Sequence, residues 1–212
     1  MSLKIAFLLG VIYLLIFAPF GLDFSDAGFL ATLSTNIFRA PESVADYFVY
    51  WLTGVLGGTW YAILPIGLIS FRIAYVVVLM LTAWGIQKCI KHFFKLPDTQ
   101  AALIALVTLI CCNYDIKGPL NWLSYNELSS LFYIWGIFFL GRGLCDSRQR
   151  DLGWAGLFFG LNIFIRLTNL AGLIFLSLPI LANFIFKRKW KIAITQLGWL
   201  IGGILAGVLV CF

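Results

Sequence analysis

Three groups of polar residues interrupt an otherwise apolar sequence, and each is of a type that could do chemistry. Asp23 and Asp26 follow the first long apolar run. A second group extends from Asp115 through Lys117 to Tyr125 and Asn126, and a third joins Arg166 to Thr168 and Asn169. A carboxylate near an apolar phase can take a proton from a hydroxyl, and a guanidinium or ammonium can balance a phosphate. His92 is the only histidine and lies among lysines, which argues against a histidine triad or a histidine-based metal site. No phosphate-cradling glycine loop, zinc pattern or nucleophile elbow occurs. Chemistry in this chain therefore falls to carboxylates and cations.

Each residue also has a plainer reading. Asp26 could cap a helix, with Ser25 as its competitor. Arg72 and Arg166 could extend to lipid headgroups, and Lys117, in Asp-Ile-Lys-Gly-Pro, could be a solvated turn residue. Asp23 has only its proximity to Asp26 in its favour.

The elements that must position these residues follow from composition. Of the 212 residues 62% are hydrophobic and 11% charged, with mean hydropathy +0.98. A soluble domain is nearer half apolar, so the chain reads as an all-α, polytopic membrane helix bundle. Apolar runs at 4–20, 67–88, 99–113, 123–141, 152–165, 167–186 and 192–212 give about seven spans in a single transmembrane domain over 1–212. Residues 5–18 lack the small-residue cleavage site of a signal peptide and count as the first span. The five cysteines show no metal spacing and read as packing residues.

Orientation follows from charge. A cytoplasmic amino terminus places Lys4, Lys88, Lys91, Lys95, Arg142, Arg148, Arg150 and the tract Lys187, Arg188, Lys189, Lys191 inside, leaving Arg39, Arg72, Lys117 and Arg166 outside. The carboxyl terminus is then at the outer face. The net charge of +6 is accounted for by this asymmetry and by contact with membrane lipid, and calls for no nucleic acid.

Residues 21–66 form the first outer loop. Within it, 26–38 reads as an amphipathic helix resting on the membrane through Phe29, Leu30, Leu33 and Ile37, and 46–62 as a second helix in the outer interface. Small-xxx-small pairs at Gly54/Gly58, Gly156/Gly160, Gly198/Gly202 and Gly203/Gly207 permit close helix packing. The run at 152–165 ends at Asn162 and Arg166, where the chain is expected to turn.

This pattern resembles the GT-C membrane glycosyltransferases, in particular the bacterial family related to protein mannosyltransferases, aminoarabinose transferases and Rgt lipopolysaccharide transferases. Asp26-Ala27-Gly28-Phe29 is similar to the acidic motif that opens that family's long outer loop. Ile69-Ser70-Phe71-Arg72-Ile73, Leu123-Ser124-Tyr125-Asn126-Glu127-Leu128-Ser129, and Ala155-Gly156-Leu157-Phe158-Phe159-Gly160-Leu161 with Ile165-Arg166 follow in the family's order.

The resemblance implies transfer of a sugar from a polyprenyl-phosphate donor to a glycan, lipid or protein acceptor at the outer face of a bacterial inner membrane. It implies Asp26 as general base and Arg166 as phosphate partner. Arg72 and Lys117 are further phosphate candidates, with Tyr125, Asn126 and Asp23 as substrate contacts. No cofactor is fixed by the sequence; a divalent cation, Mg²⁺ or Mn²⁺, stays open. Ala27 stands where the family commonly has a second acid, and the family usually adds helices beyond the seven, so the chain is expected to be the amino-terminal module of a longer protein. A scaffold or partner subunit without activity, and a small transporter or lipid flippase, are the alternatives.

Overall fold

A helix satisfies backbone amides and carbonyls within one segment, as an apolar surrounding without water demands, and the described residues fold as helices. The computed structural model describes residues 3–17, 26–112, 122–176, 181 and 190–211. In chain order these form α1 (Leu3–Phe17), α2 (Asp26–Asn36), a 3-10 segment (Pro41–Tyr50), α3 (Trp51–Ile63), α4 (Leu68–Phe94), α5 (Asp98–Cys112), α6 (Tyr125–Cys145), α7 (Gln149–Ile165), a second 3-10 segment (Leu167–Leu176) and α8 (Trp190–Val210). No strand occurs among the described residues. Among the described residues three helices are long and apolar enough to cross a membrane: α4 with 27 residues, and α6 and α8 with 21 each. At 1.5 Å per residue even the shorter two reach about 30 Å, the thickness of the hydrocarbon layer.

The long apolar stretch at 47–87 is divided at Pro65 and Gly67, while Gly57 and Gly58 lie inside α3. α3 stops at Ile63, Pro65 follows, and Gly67 takes a left-handed φ of +69° just before α4 begins. The indole N–H of Trp60 donates to the carbonyl of Ser70 at 2.8 Å and fastens this corner. α4 ends at Phe94 and is capped by Lys95, also left-handed at φ 53°, two residues before Pro97.

The chain forms two compact units, Met1–Leu131 and Phe132–Phe212, with the division inside α6. In the first unit α1 packs on α4 and α5, and α2 lies across α3. Leu33 meets Gly54, Ser34 meets Gly57 and Ile37 meets Gly58; a Cβ at Gly54 would stand 2.9 Å from Leu33 Cγ. The expectation that the apolar face of α2 rests on the membrane therefore needs revision. Leu30, Leu33 and Ile37 are covered by protein and join Val44, Phe71 and Trp122 in one core, because the bare glycine face of α3 lets the two backbones approach.

In the second unit α7 and α8 are in backbone contact. A Cβ at Gly156 would collide with the carbonyl of Leu200 and lie 2.9 Å from the Ile204 nitrogen; Gly160 faces Ile204, Gly203 faces Gly153 and Leu157, and Gly207 faces Leu157 and Leu161. Partners advance together along both helices, so α7 and α8 run parallel. The carboxyl-terminal half of α6 turns back onto α7, with Gly136 against Phe159, Gly143 against Leu152, and Phe139 stacked on Phe158 at 5.7 Å. Arg142 Nε pairs with Asp151 Oδ2 at 3.2 Å across the turn, where Ser147 is left-handed.

Candidate functional site

Asp26 is the first residue of α2. One turn later Phe29 meets Tyr47 edge-on at 4.6 Å and Tyr50 at 6.0 Å. Tyr50 then stacks on Tyr125 at 4.7 Å. Phe71, the neighbour of Arg72 in α4, lies between Tyr61 at 5.4 Å and Trp122 at 5.0 Å, stacked with both. Phe29, Tyr50, Tyr61 and Tyr125 all pack against the core that holds Phe71 and Trp122. Three stretches far apart in sequence, around Asp26, Arg72 and Tyr125, thus meet in one aromatic cluster of the first unit.

The polar groups around this cluster are unevenly satisfied. Arg72 is buried, with 8% of its surface exposed. Ser70 Oγ and Trp122 Nε1 are buried with no hydrogen-bond partner among the described residues, which is uncommon in a packed interior. Tyr125 is half-buried and Asn126 exposed. Asp23 and Lys117 lie outside the described residues, so nothing places them at this cluster.

The local chemistry of the Leu123–Ser129 stretch explains part of its composition. Ser124 precedes α6; the Asn126 amide donates to its Oγ at 3.1 Å, while Glu127 accepts from the Ser124 amide at 3.0 Å and from the Ser124 hydroxyl. This reciprocal capping box satisfies donors that a helix start leaves free, and Leu123 and Leu128 occupy its two staple positions, both buried. Ser124 and Glu127 are thereby assigned to building the helix. Tyr125 is stacked on Tyr50, and the side chain of Asn126 is exposed.

Arg166 belongs to the second unit. α7 ends at Ile165, and Arg166 is extended at φ −155°, ψ 123°, its amide donating to the Asn162 carbonyl at 3.4 Å. The chain does change course here, as its polar residues predict. The side-chain amide of Asn169 donates to both the carbonyl and Oδ1 of Asn162 at 3.1 Å, and Tyr133 donates to the Asn169 carbonyl at 3.2 Å. Asn162 is 1% exposed, and its Nδ2 has no partner among the described residues. Arg166 itself is half-buried. The clasp between Asn162 and Asn169 was not evident from sequence; its signal is two asparagines seven residues apart across a helix end.

Among the described residues no three His, Cys, Asp or Glu side chains gather as a metal site would require. No protein-family model, curated protein or solved structure matches this chain.

Proposed function

We propose that the chain is an integral membrane glycosyltransferase that moves a sugar from a polyprenyl-phosphate donor to an acceptor hydroxyl. The observation that supports this reading is the aromatic cluster, which gathers the segments of Asp26, Arg72 and Tyr125 that the family resemblance singles out separately. Aromatic faces suit the apolar face of a sugar ring, and a few polar groups beside them fix its orientation. In the proposed reaction the Asp26 carboxylate accepts the acceptor O–H proton as that oxygen bonds to the anomeric carbon. The anomeric C–O bond to phosphate breaks from the opposite face, inverting the centre, and the polyprenyl phosphate leaves with both bonding electrons. Tyr125 and Asn126 contact the sugar, and Arg72 is a phosphate candidate within the first unit. For Arg166, Lys117 and Asp23 the assignment rests on the resemblance alone.

The proposal carries a seven-span topology with a cytoplasmic amino terminus, α2 at the outer face, and residence in a bacterial inner membrane. The parallel course of α7 and α8 supports an odd crossing between them, since the chain must return to the same end before α8 starts. Basic residues mark that end: Arg142 closes α6, Arg148 precedes α7, Arg150 opens α7 and Lys191 opens α8.

The test is transfer in membranes supplied with a panel of polyprenyl-phosphate sugars. Asp26→Asn should lower transfer on the order of 10²–10⁴-fold, the usual contribution of a general base, at unchanged protein level in the membrane. Full activity of that variant, or no transfer by the unaltered protein from any donor in the panel, overturns the reading.

A further inference from the structure

The α7–α8 pair carries an open groove that the reading of the first unit does not use. Its apolar part, about 720 Å³, is lined by Trp154 and Leu157 from α7 and by Gly198, Gly202 and Ala206 from α8. Nothing stands within 4 Å of a Cβ built at Gly198 or Gly202, in contrast to the glycines buried between the helices. From Thr195 to Ala206 the groove follows α8 for about 16 Å at helical rise.

Arg150 and Trp199 line this groove and also a second, polar hollow of about 520 Å³, shared with Arg148 and Gln149. The two hollows are thus neighbours, with Arg150 and Trp199 at their common border. The indole N–H of Trp199 donates to Gln149 Oε1 at 3.1 Å and fixes the rim. Asp151 also faces the polar hollow, but Arg142 holds its carboxylate at 3.2 Å. Asp146 is 3.9 Å from Arg148. No carboxylate among the described residues pairs with Arg150, so the mouth keeps a positive charge.

We propose that this groove binds one anionic phospholipid, with its phosphate at Arg150 and Arg148 and an acyl chain along Gly198, Gly202 and Ala206. The shape and charge fit such a molecule: cationic residues at the start of α7, beside an open apolar groove that runs on along α8 from the level of Trp199. A second copy of the chain fits less well. A two-fold axis along the membrane normal would bring identical arginine-lined mouths to the same depth, with like charges opposed.

The experiment is native mass spectrometry of the full chain in mild detergent, titrated with phosphatidylglycerol and with phosphatidylcholine of the same acyl chains. The unaltered protein should retain phosphatidylglycerol about fivefold more tightly or better, the effect of one or more basic residues near a headgroup. Arg150→Gln should reduce that preference towards none. Gly202→Leu, which enters open space, should weaken retention of both lipids without lowering the thermal unfolding midpoint. Equal retention of the two lipids by the unaltered protein, or an undiminished preference in Arg150→Gln, overturns the proposal. So does displacement of the lipid by inorganic phosphate with no effect of Gly202→Leu, which would mean an anion site alone. Disulfide-linked dimers of Gly202→Cys under mild oxidation would give the groove to a second copy and equally overturn it.

Discussion

Ser124 makes two interactions with one hydroxyl, accepting from the Asn126 amide and donating to Glu127. Removing it leaves an amide at the start of α6 without its acceptor and Glu127 without one of its donors. Ser124→Ala should therefore cost about 1 kcal/mol, the usual value of a helix amino-terminal cap, whereas Ser124→Thr keeps the hydroxyl and most of the stability. Thermal unfolding midpoints in detergent measure both, and an unchanged midpoint in Ser124→Ala would show that the box is not stabilising. The same seven residues illustrate what sequence can and cannot say at this scale. Ser-x-x-Glu before an apolar run is a legible helix start, and that local physics accounts for two of the residues that resemble a family motif. The stack of Tyr125 on Tyr50 is not legible, because it joins segments 75 positions apart through packing that no local pattern encodes.

Four small-xxx-small pairs look alike in sequence, yet the helices use them differently. Gly54/Gly58 receives α2, and Gly156/Gly160 interlocks with Gly203/Gly207, while Gly198/Gly202 borders open space. Which glycine is enclosed depends on how each helix is rotated about its axis, and that rotation is set by the partner's surface. The helix positions were legible: each expected run begins within a few residues of a described helix or 3-10 segment, since apolar length, Pro and Gly act locally. The partner of the α2 face was not, because apolar residues read the same towards lipid or protein. A paired substitution separates the two kinds of glycine. Gly156→Ala places a methyl group against backbone of α8, which cannot rotate away, and should destabilise by about 1–3 kcal/mol, as overpacking does. Gly198→Ala meets nothing and gains helix propensity, so it should be neutral or stabilising by up to about 1 kcal/mol. Equal effects on the unfolding midpoint would contradict the interlocked α7–α8 interface.

For the whole molecule, three helices among the described residues are long and apolar enough to cross a membrane, and the proposed orientation adds a side to each end. α5 and α6 give that orientation a direct readout. Cys111 is exposed near the end of α5, and Cys145 is exposed at the end of α6. If α6 crosses the membrane, the two thiols stand on opposite sides; if the positive-inside distribution sets the direction, Cys145, beside Arg142 and Arg148, is cytoplasmic. Two variants that each retain one of these cysteines, exposed to a membrane-impermeant maleimide in intact spheroplasts, distinguish the cases. Cys111 should react without permeabilisation, and Cys145 only after it. The opposite pattern would invert the topology and move Asp26 away from a donor at the outer face. Reaction of both thiols from the same side would remove α6 as a span and, with it, the odd number of crossings that the proposed function requires.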